Sequence, residues 1–294
     1  FALDLDTINE AAKLLANAKS PLILTGSGAL DASEAVTALA ETLCAPVVSF
    51  RGGRGVVSDE HPLGFNIAAG AKLWPQTDVA IIIGSRIDID PAESRRLDVD
   101  LNIISDANIG AKALNDALQK LVSKNHTRVS ELAEIKAAAF VDISKIKPQI
   151  DYLNVIRDVL PKDGFFVEEI SQVGFTSIYG FPIYKPRTMV TAGFQGTLGF
   201  GFPTALGVKV ANPDKAVVSI AGDGGFMFAA QELATAVQYN INLVTIVFNN
   251  SAYGNVLRDQ KTAFSGRLLG SELVNPDFIK FAESFGVQGY KVNS

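Results

Sequence analysis

Apolar positions along this chain follow two rhythms that take turns. "TINEAAKLLANA" carries them at helical spacing, with Thr7 a candidate N-cap and Glu10 three residues later completing a capping box. "PLILTG" is a short continuous apolar run, the signature of a buried strand. "ASEAVTALAETL" returns to the helical period and stops before a second such run, "APVVSF". "DVAIIIGS" and "LNIISDA" then predict strands, and "IGAKALNDALQKLV" a helix. Strands alternating with helices of this length specify a parallel sheet covered on both faces. One α/β domain is expected over residues 1–140.

The rhythm breaks in "VDISKIKPQIDY", whose lysines and Pro148 mark a candidate linker at 141–150. It then restarts. "YLNVIRDVL" predicts a helix, "GFFVEE" and "RTMVTA" strands, "GFPTALGVKVA" a helix and "AVVSIAG" a strand. "AAQELATAVQY" (helix), "NLVTIVFNN" (strand) and "PDFIKFAESFG" (helix, with Pro276 in its first turn) follow. A second α/β domain is expected over 151–294, cut short at its C-terminal side. The fold class is thus α/β, with two doubly wound parallel sheets.

Composition narrows the functional classes. A net charge of −5 argues against a nucleic-acid partner, which selects a basic face. No apolar run approaches the eighteen residues of a membrane span. The single cysteine, Cys44, excludes a disulfide within the chain and any cysteine-built metal site, in keeping with a reducing cytoplasm. It sits at a predicted helix end, where packing is its expected role. The chain opens at "FALDLDT" without a signal-peptide pattern and stops at "GYKVNS" just after a helix, so a fragment of a longer protein is expected.

The candidate chemistry lies at two strand ends. "AVVSIAG" delivers Asp223 to its carboxyl end, and "LVTIVF" delivers Asn249 and Asn250 to its own. The residues between hold one helix, as a parallel crossover requires, and adjacent strands lie roughly 4.8 Å apart. The two ends can converge where open α/β sheets bind ligands. A carboxylate, an amide oxygen and a backbone carbonyl form a hard-oxygen set suited to Mg²⁺ and its phosphate ligands. Gly222, Gly224 and Gly225 are expected to bring backbone close to the ligand and to adopt positive φ. A helix starting near Phe226 is expected to point its positive end at the same place. Asp-Gly and Asn-Asn are also ordinary turn residues; their joint spacing carries the argument.

Gly222-Asp223-Gly224, twenty-four residues and then Asn249-Asn250 resembles the signature of thiamine-diphosphate-dependent enzymes. The stretch from "TAGFQGTLGFGFP" to "FNNSAYG" is similar to the diphosphate-binding (PP) domain of the acetolactate synthase, benzoylformate decarboxylase and oxalyl-CoA decarboxylase group. Residues 1–140, through "RGVVSDEHPLGF" and "DVAIIIGSRIDID", resemble that group's Rossmann-like central domain more loosely. The resemblance implies Mg²⁺ held by Asp223, Asn250 and the carbonyl of Ala252. It implies the cofactor diphosphate cradled by backbone near Gly222, Gly224, Gly225, Tyr253 and Gly254. It further implies that the Gly196 carbonyl accepts from the cofactor's 4′-amino group. Leu198 would prop the cofactor into its bent shape; core packing is the alternative for this residue.

Thiamine diphosphate and Mg²⁺ are therefore the expected cofactors, and a 2-oxo acid or related acyl-CoA the expected substrate, for decarboxylation, carboligation or both. In the group, an activating Glu comes from an N-terminal pyrimidine-binding domain, so this chain alone is expected to be inactive. The segment from Ala192 to Leu206 packs on a neighbouring subunit there, which implies a homodimer or homotetramer. For the central domain the group offers FAD, ADP, CoA or no ligand. No counterpart of the His-Gly segment beside the flavin is found, against FAD.

Other residues point elsewhere. Gly26-x-Gly28 lies between a strand and a helix, but Asp31 stands where a dinucleotide fingerprint has its third glycine. A non-catalytic nucleotide-binding module is the alternative reading, and an NAD-dependent dehydrogenase a weaker third. His61 and His126 lack partners at a meaningful spacing and read as surface or turn residues. Arg51, Arg54 and Arg86 are expected to be solvated loop charges, with contact to an anionic ligand as the other option.

Overall fold

Residues up to Lys145, joined by Pro182–Thr188, form one unit of a computed structural model that describes residues 2–85, 99–122, 128–193 and 195–292. Arg86 and His126 lie outside the described residues. The unit's elements are α1 (Leu5–Ala16), β1 (Pro21–Thr25), α2 (Ser33–Leu43), β2 (Val47–Ser49), β3 (Gly64–Asn66), α3 (Ile67–Leu73), β4 (Val79–Ile83), α4 (Ala107–Leu118) and α5 (Val129–Ile143). The strands pair in parallel in the order β3-β2-β1-β4. β1 is buried at every position, as its unbroken apolar run requires. α2 turns Ala35, Val36, Leu39, Ala40 and Leu43 inward. Full burial of a leucine such as Leu39 stabilises by about 2 kcal/mol. Cys44 closes α2 in the left-handed conformation, φ 48°, and is buried.

Several expectations need correction here. The N-cap of α1 is Asp4, which accepts from the N–H groups of Asp6 and Thr7; Thr7 lies in the first turn and its hydroxyl donates to Asp4 Oδ2 at 2.7 Å. No strand forms over 101–104. Leu101 and Ile103 pack against the core without joining the ladder. β3, α3 and α5 are additions to the expected elements. α5 runs past Phe140 to Ile143, and the next helix starts at Gln149, so the join is shorter than 141–150.

Asp59 stitches Pro182–Thr188 into this unit. Its N–H donates to the Ile183 carbonyl at 2.9 Å, and its Oδ2 accepts from the Ile183 N–H at 2.7 Å. The same Oδ2 pairs with the Arg54 guanidinium, only 3% exposed, so Arg54 is a buried ion-pair partner and not a solvated loop charge. Gly55, at φ +86°, lies so close to Lys185 that a Cβ would fall 2.2 Å from its carbonyl oxygen.

The second unit comprises Ile146–Phe181 and the chain from Met189. It holds α6 (Gln149–Val159), β5 (Phe165–Val167), α7 (Gln172–Gly180), β6 (Met189–Val190), α8 (Gly201–Ala211), β7 (Val217–Gly222), α9 (Asp223–Phe226), α10 (Leu233–Gln238), β8 (Val244–Phe248), α11 (Gly254–Thr262) and α12 (Phe278–Ser284). All strands are again parallel, in the order β6-β5-β7-β8. α7 is an addition to the expected elements. The helix expected near Phe226 instead begins at Asp223 and lasts one turn. α12 is capped by Asp277, which leaves Pro276 just outside it.

Removing the Asp59 carboxylate takes a counter-charge from the buried Arg54 guanidinium and an acceptor from the Ile183 N–H. Asp59→Ala is expected to cost the first unit about 3 kcal/mol, read as an earlier urea transition. Asp59→Asn, which can still accept from Ile183, is expected to lose less.

Candidate functional site

The chain reverses direction across the second sheet: β6 lies on one side of β5, while β7 and then β8 lie on the other. The carboxyl ends of β5 and β7 thus flank the topological switch point, where sheets of this kind open a crevice. Register pairs Gly222 with Phe248, which sets Asp223 beside Asn249. Asp223 is 2% exposed, and among the described residues no basic side chain pairs with it. Its Oδ2 accepts from Asn275 Nδ2 at 2.6 Å, and the same nitrogen donates to Asn249 Oδ1 at 3.0 Å. Asn249 also accepts from the Ser251 N–H at 3.0 Å, which turns the chain and leaves Ser251 at φ 54°.

Beyond that turn the chain pairs antiparallel with the segment around Glu272. Tyr253 N–H donates to Ser271 O, and Leu273 N–H to Ser251 O. Ala252, between the two bonded residues, therefore aims its carbonyl to the opposite side. The Tyr253 N–H is taken up by this pairing and is not available to cradle a ligand, contrary to expectation. Asn250 packs its amide against Gly254, where a Cβ would fall 3.1 Å from Nδ2. Among the described residues no cluster of His, Cys, Asp or Glu side chains could hold a metal. What the site offers is one buried carboxylate lacking a cationic partner, amide oxygens and a backbone carbonyl. That set fits Mg²⁺ bound together with a phosphate ligand.

The glycines act through space and not through positive φ, which none of Gly222, Gly224 or Gly225 adopts. A Cβ on Gly224 would fall 2.5 Å from the Tyr253 ring, and one on Gly225 3.0 Å from Glu169 Oε1. Positive φ occurs instead at Gly196 (61°) and Gly199 (79°), in the segment that carries Leu198. Leu198 is half-buried and lines the cleft, so it is not a core residue.

The structure adds Glu169, which looked in the sequence like any acid after a strand. Fully buried, it accepts from the N–H groups of Gly199 (2.5 Å), Phe200 (3.3 Å) and Gly201 (2.8 Å). It thereby caps α8, whose own Ncap residue, Phe200, supplies no side-chain bond. Burial pushes its carboxyl above the usual carboxylate range, and the three backbone donors pull the other way. Gln172, which donates to Asn255 Oδ1, and Asn275 were likewise not singled out. These residues converge from distant segments, so no local spacing signals them.

In the first unit the Gly26-x-Gly28 pair has a packing role. The order of strands makes β1 and β4 its switch point, and Gly28 N–H donates to Gly84 O at 2.9 Å there. A Cβ on Gly28 would fall 2.9 Å from Gly84 Cα. His61 sits in a turn, Nδ1 accepting from Leu63 N–H and Nε2 facing Glu41 at 3.3 Å.

A cleft of about 2450 Å³ runs along the open edge of β8 and reaches the strand ends at Leu198, Asp223, Asn250 and Tyr253. Two parallel α/β units, the second with an acid and an amide pair at neighbouring strand ends, define a doubly wound fold. Residues 8–89 match the thiamine pyrophosphate enzyme central domain, and 169–294 the thiamine pyrophosphate enzyme C-terminal TPP binding domain. The chain belongs to this family, carrying its central and C-terminal domains. It is 32% identical to the probable acetolactate synthase large subunit of Methanococcus aeolicus, over 98% of this chain and 56% of that protein. Identity to the corresponding Methanocaldococcus jannaschii protein is 34%, over 98% and 55%. Identity to the probable 2-ketoarginine decarboxylase AruI of Pseudomonas aeruginosa is 29%, over 96% and 55%. The chain thus spans about half the length of these relatives. No helix among the described residues is long and apolar enough to cross a membrane.

The raised carboxyl of Glu169 has a sign that can be measured. The folded state holds this proton more tightly than the unfolded chain, whose value is near 4.5. The associated stability is complete below that value and is lost as pH rises through the folded one. Glu169→Gln should remove this fall, seen as a flatter plot of melting temperature against pH above 4.5.

Proposed function

We propose that this chain is the cofactor-holding part of a thiamine-diphosphate- and Mg²⁺-dependent enzyme that decarboxylates a 2-oxo acid, joins two such acids, or both. The observation that carries the reading is the adjacency of Asp223 and Asn249 across paired strands, with Asp223 buried and lacking a basic partner. The names of the relatives, acetolactate synthase and 2-ketoarginine decarboxylase, support the reaction class. Asp223, Asn250 and the Ala252 carbonyl would hold Mg²⁺, and the metal would bind the diphosphate. Gly196 would offer its carbonyl to the aminopyrimidine, and Leu198 would support the cofactor's middle. When bound, thiamine diphosphate supplies a carbon nucleophile and a sink for the electrons of the broken bond to CO₂. The residues of this chain orient that group and exclude water from it. The whole protein is proposed to act as a homodimer or homotetramer in the cytoplasm.

Asp223→Ala removes the one charged metal ligand. Thiamine diphosphate binding with Mg²⁺ is expected to weaken by about 3 kcal/mol, roughly a hundredfold in Kd by calorimetry. Asn250→Ala, which removes a neutral ligand, is expected to cost about 1 kcal/mol. Unchanged affinity in Asp223→Ala would exclude this site.

A further inference from the structure

Three consecutive residues after β5 each touch a different part of the proposed cofactor site. The Glu169 carboxylate binds the backbone of Gly199, Phe200 and Gly201 and lies against Gly225. Ile170 lies against Gly196, where a Cβ would fall 3.3 Å from its Cδ1. Ser171 lies against Gly222, with the corresponding distance 3.4 Å. Glu169 therefore stands between the segment bearing Gly196 and Leu198 and the turn bearing Asp223. Neither of those segments is paired into a ladder at its tip, and Gly196 and Gly199 give the first one a permissive backbone.

We propose that Glu169 is a positioning residue: its carboxylate fixes the Gly196–Leu198 segment at the right distance from the Asp223 turn, so that one ligand can engage both. The inference rests on the thiamine diphosphate reading of the site. Both carboxylate oxygens are used, Oε1 by Gly199 and Phe200 and Oε2 by Gly201. A glutamine keeps the volume but has a single acceptor oxygen, so its NH₂ must oppose a backbone N–H in either orientation. That opens one anchor and frees the segment without disturbing Asp223 itself. A ligand that touches only the Asp223 turn should then be indifferent to the change. A ligand that spans turn and segment should not.

The test compares two probes on the same 294-residue chain by calorimetry: Mg²⁺ with inorganic pyrophosphate, and Mg²⁺ with thiamine diphosphate. In Glu169→Gln, thiamine diphosphate binding should weaken by about tenfold or more, the loss of a charge-assisted bond. Pyrophosphate binding should change less than twofold, although the melting temperature without ligand falls because one buried backbone N–H loses its acceptor. Equal weakening of both probes would make Glu169 a structural support of the whole unit and overturn the proposal. So would unchanged binding of both. If the parent chain binds pyrophosphate but gains nothing from the thiamine part, the cofactor reading fails instead, a distinct result. Should Glu169→Gln fail to melt cooperatively, Glu169→Asp keeps both acceptors on a stem one methylene shorter. It should give the same selective loss; an Asp variant binding both probes as the parent does would refute the positioning role.

Discussion

The pairing of β7 with β8 is the constraint on which the second unit depends. Parallel strands can be joined only by a crossover, and this one fixes Val218 to Gly222 against Val244 to Phe248. Ile220 and Ala221, on opposite faces of β7, are both fully buried, so a slip in register would mismatch packing on both faces and carry Asp223 away from its amide neighbours. The Asn249 turn, the Asn275 bridge and the direction of the Ala252 carbonyl all follow from that register. Hydrophobic burial along a strand interior thus sets polar geometry at its tip.

Three of the buried charges among the described residues are handled in three ways. Arg54 has a carboxylate beside it, and Glu169 has backbone N–H groups. Asp223 has only amide donors, a weaker compensation for a formal charge. The first arrangement holds a loop, and the second caps a helix from a distance. The third gives the proposed site a negative charge that no basic side chain among the described residues offsets.

Much of this was legible in the primary structure, and the limits have physical reasons. The runs around β1, β7 and β8 were readable because burial forces continuous apolar character. Asp223 and the asparagines stood out because strand ends confine polar residues to one edge. β3 was missed because three residues show no period, and α7 because Gly174, with no side chain, and the small polar Thr176 and Ser177 are buried where large apolar residues are expected. Glu169 carries no signal of its own at the end of "GFFVEE". Its partners lie some thirty positions away and are backbone groups, which carry no residue identity to read. Gly222, Gly224 and Gly225 lack the expected positive φ. Their role is to make room for Ser171, Tyr253 and Glu169, and neighbours of that kind become visible only in three dimensions.

The segment Pro182–Thr188 gives the chain a property that its domain order conceals. It leaves the second unit between α7 and β6, is incorporated into the first through Ile183, and returns. Neither unit is therefore a continuous stretch of polypeptide. A gene cut at the junction near Lys145 would give one half a hollow where Ile183 belongs and the other half an apolar loop with nothing to cover it. Recombination that exchanges one domain for a homologue must carry Asp59 and Ile183 as a matched pair, although more than a hundred residues separate them.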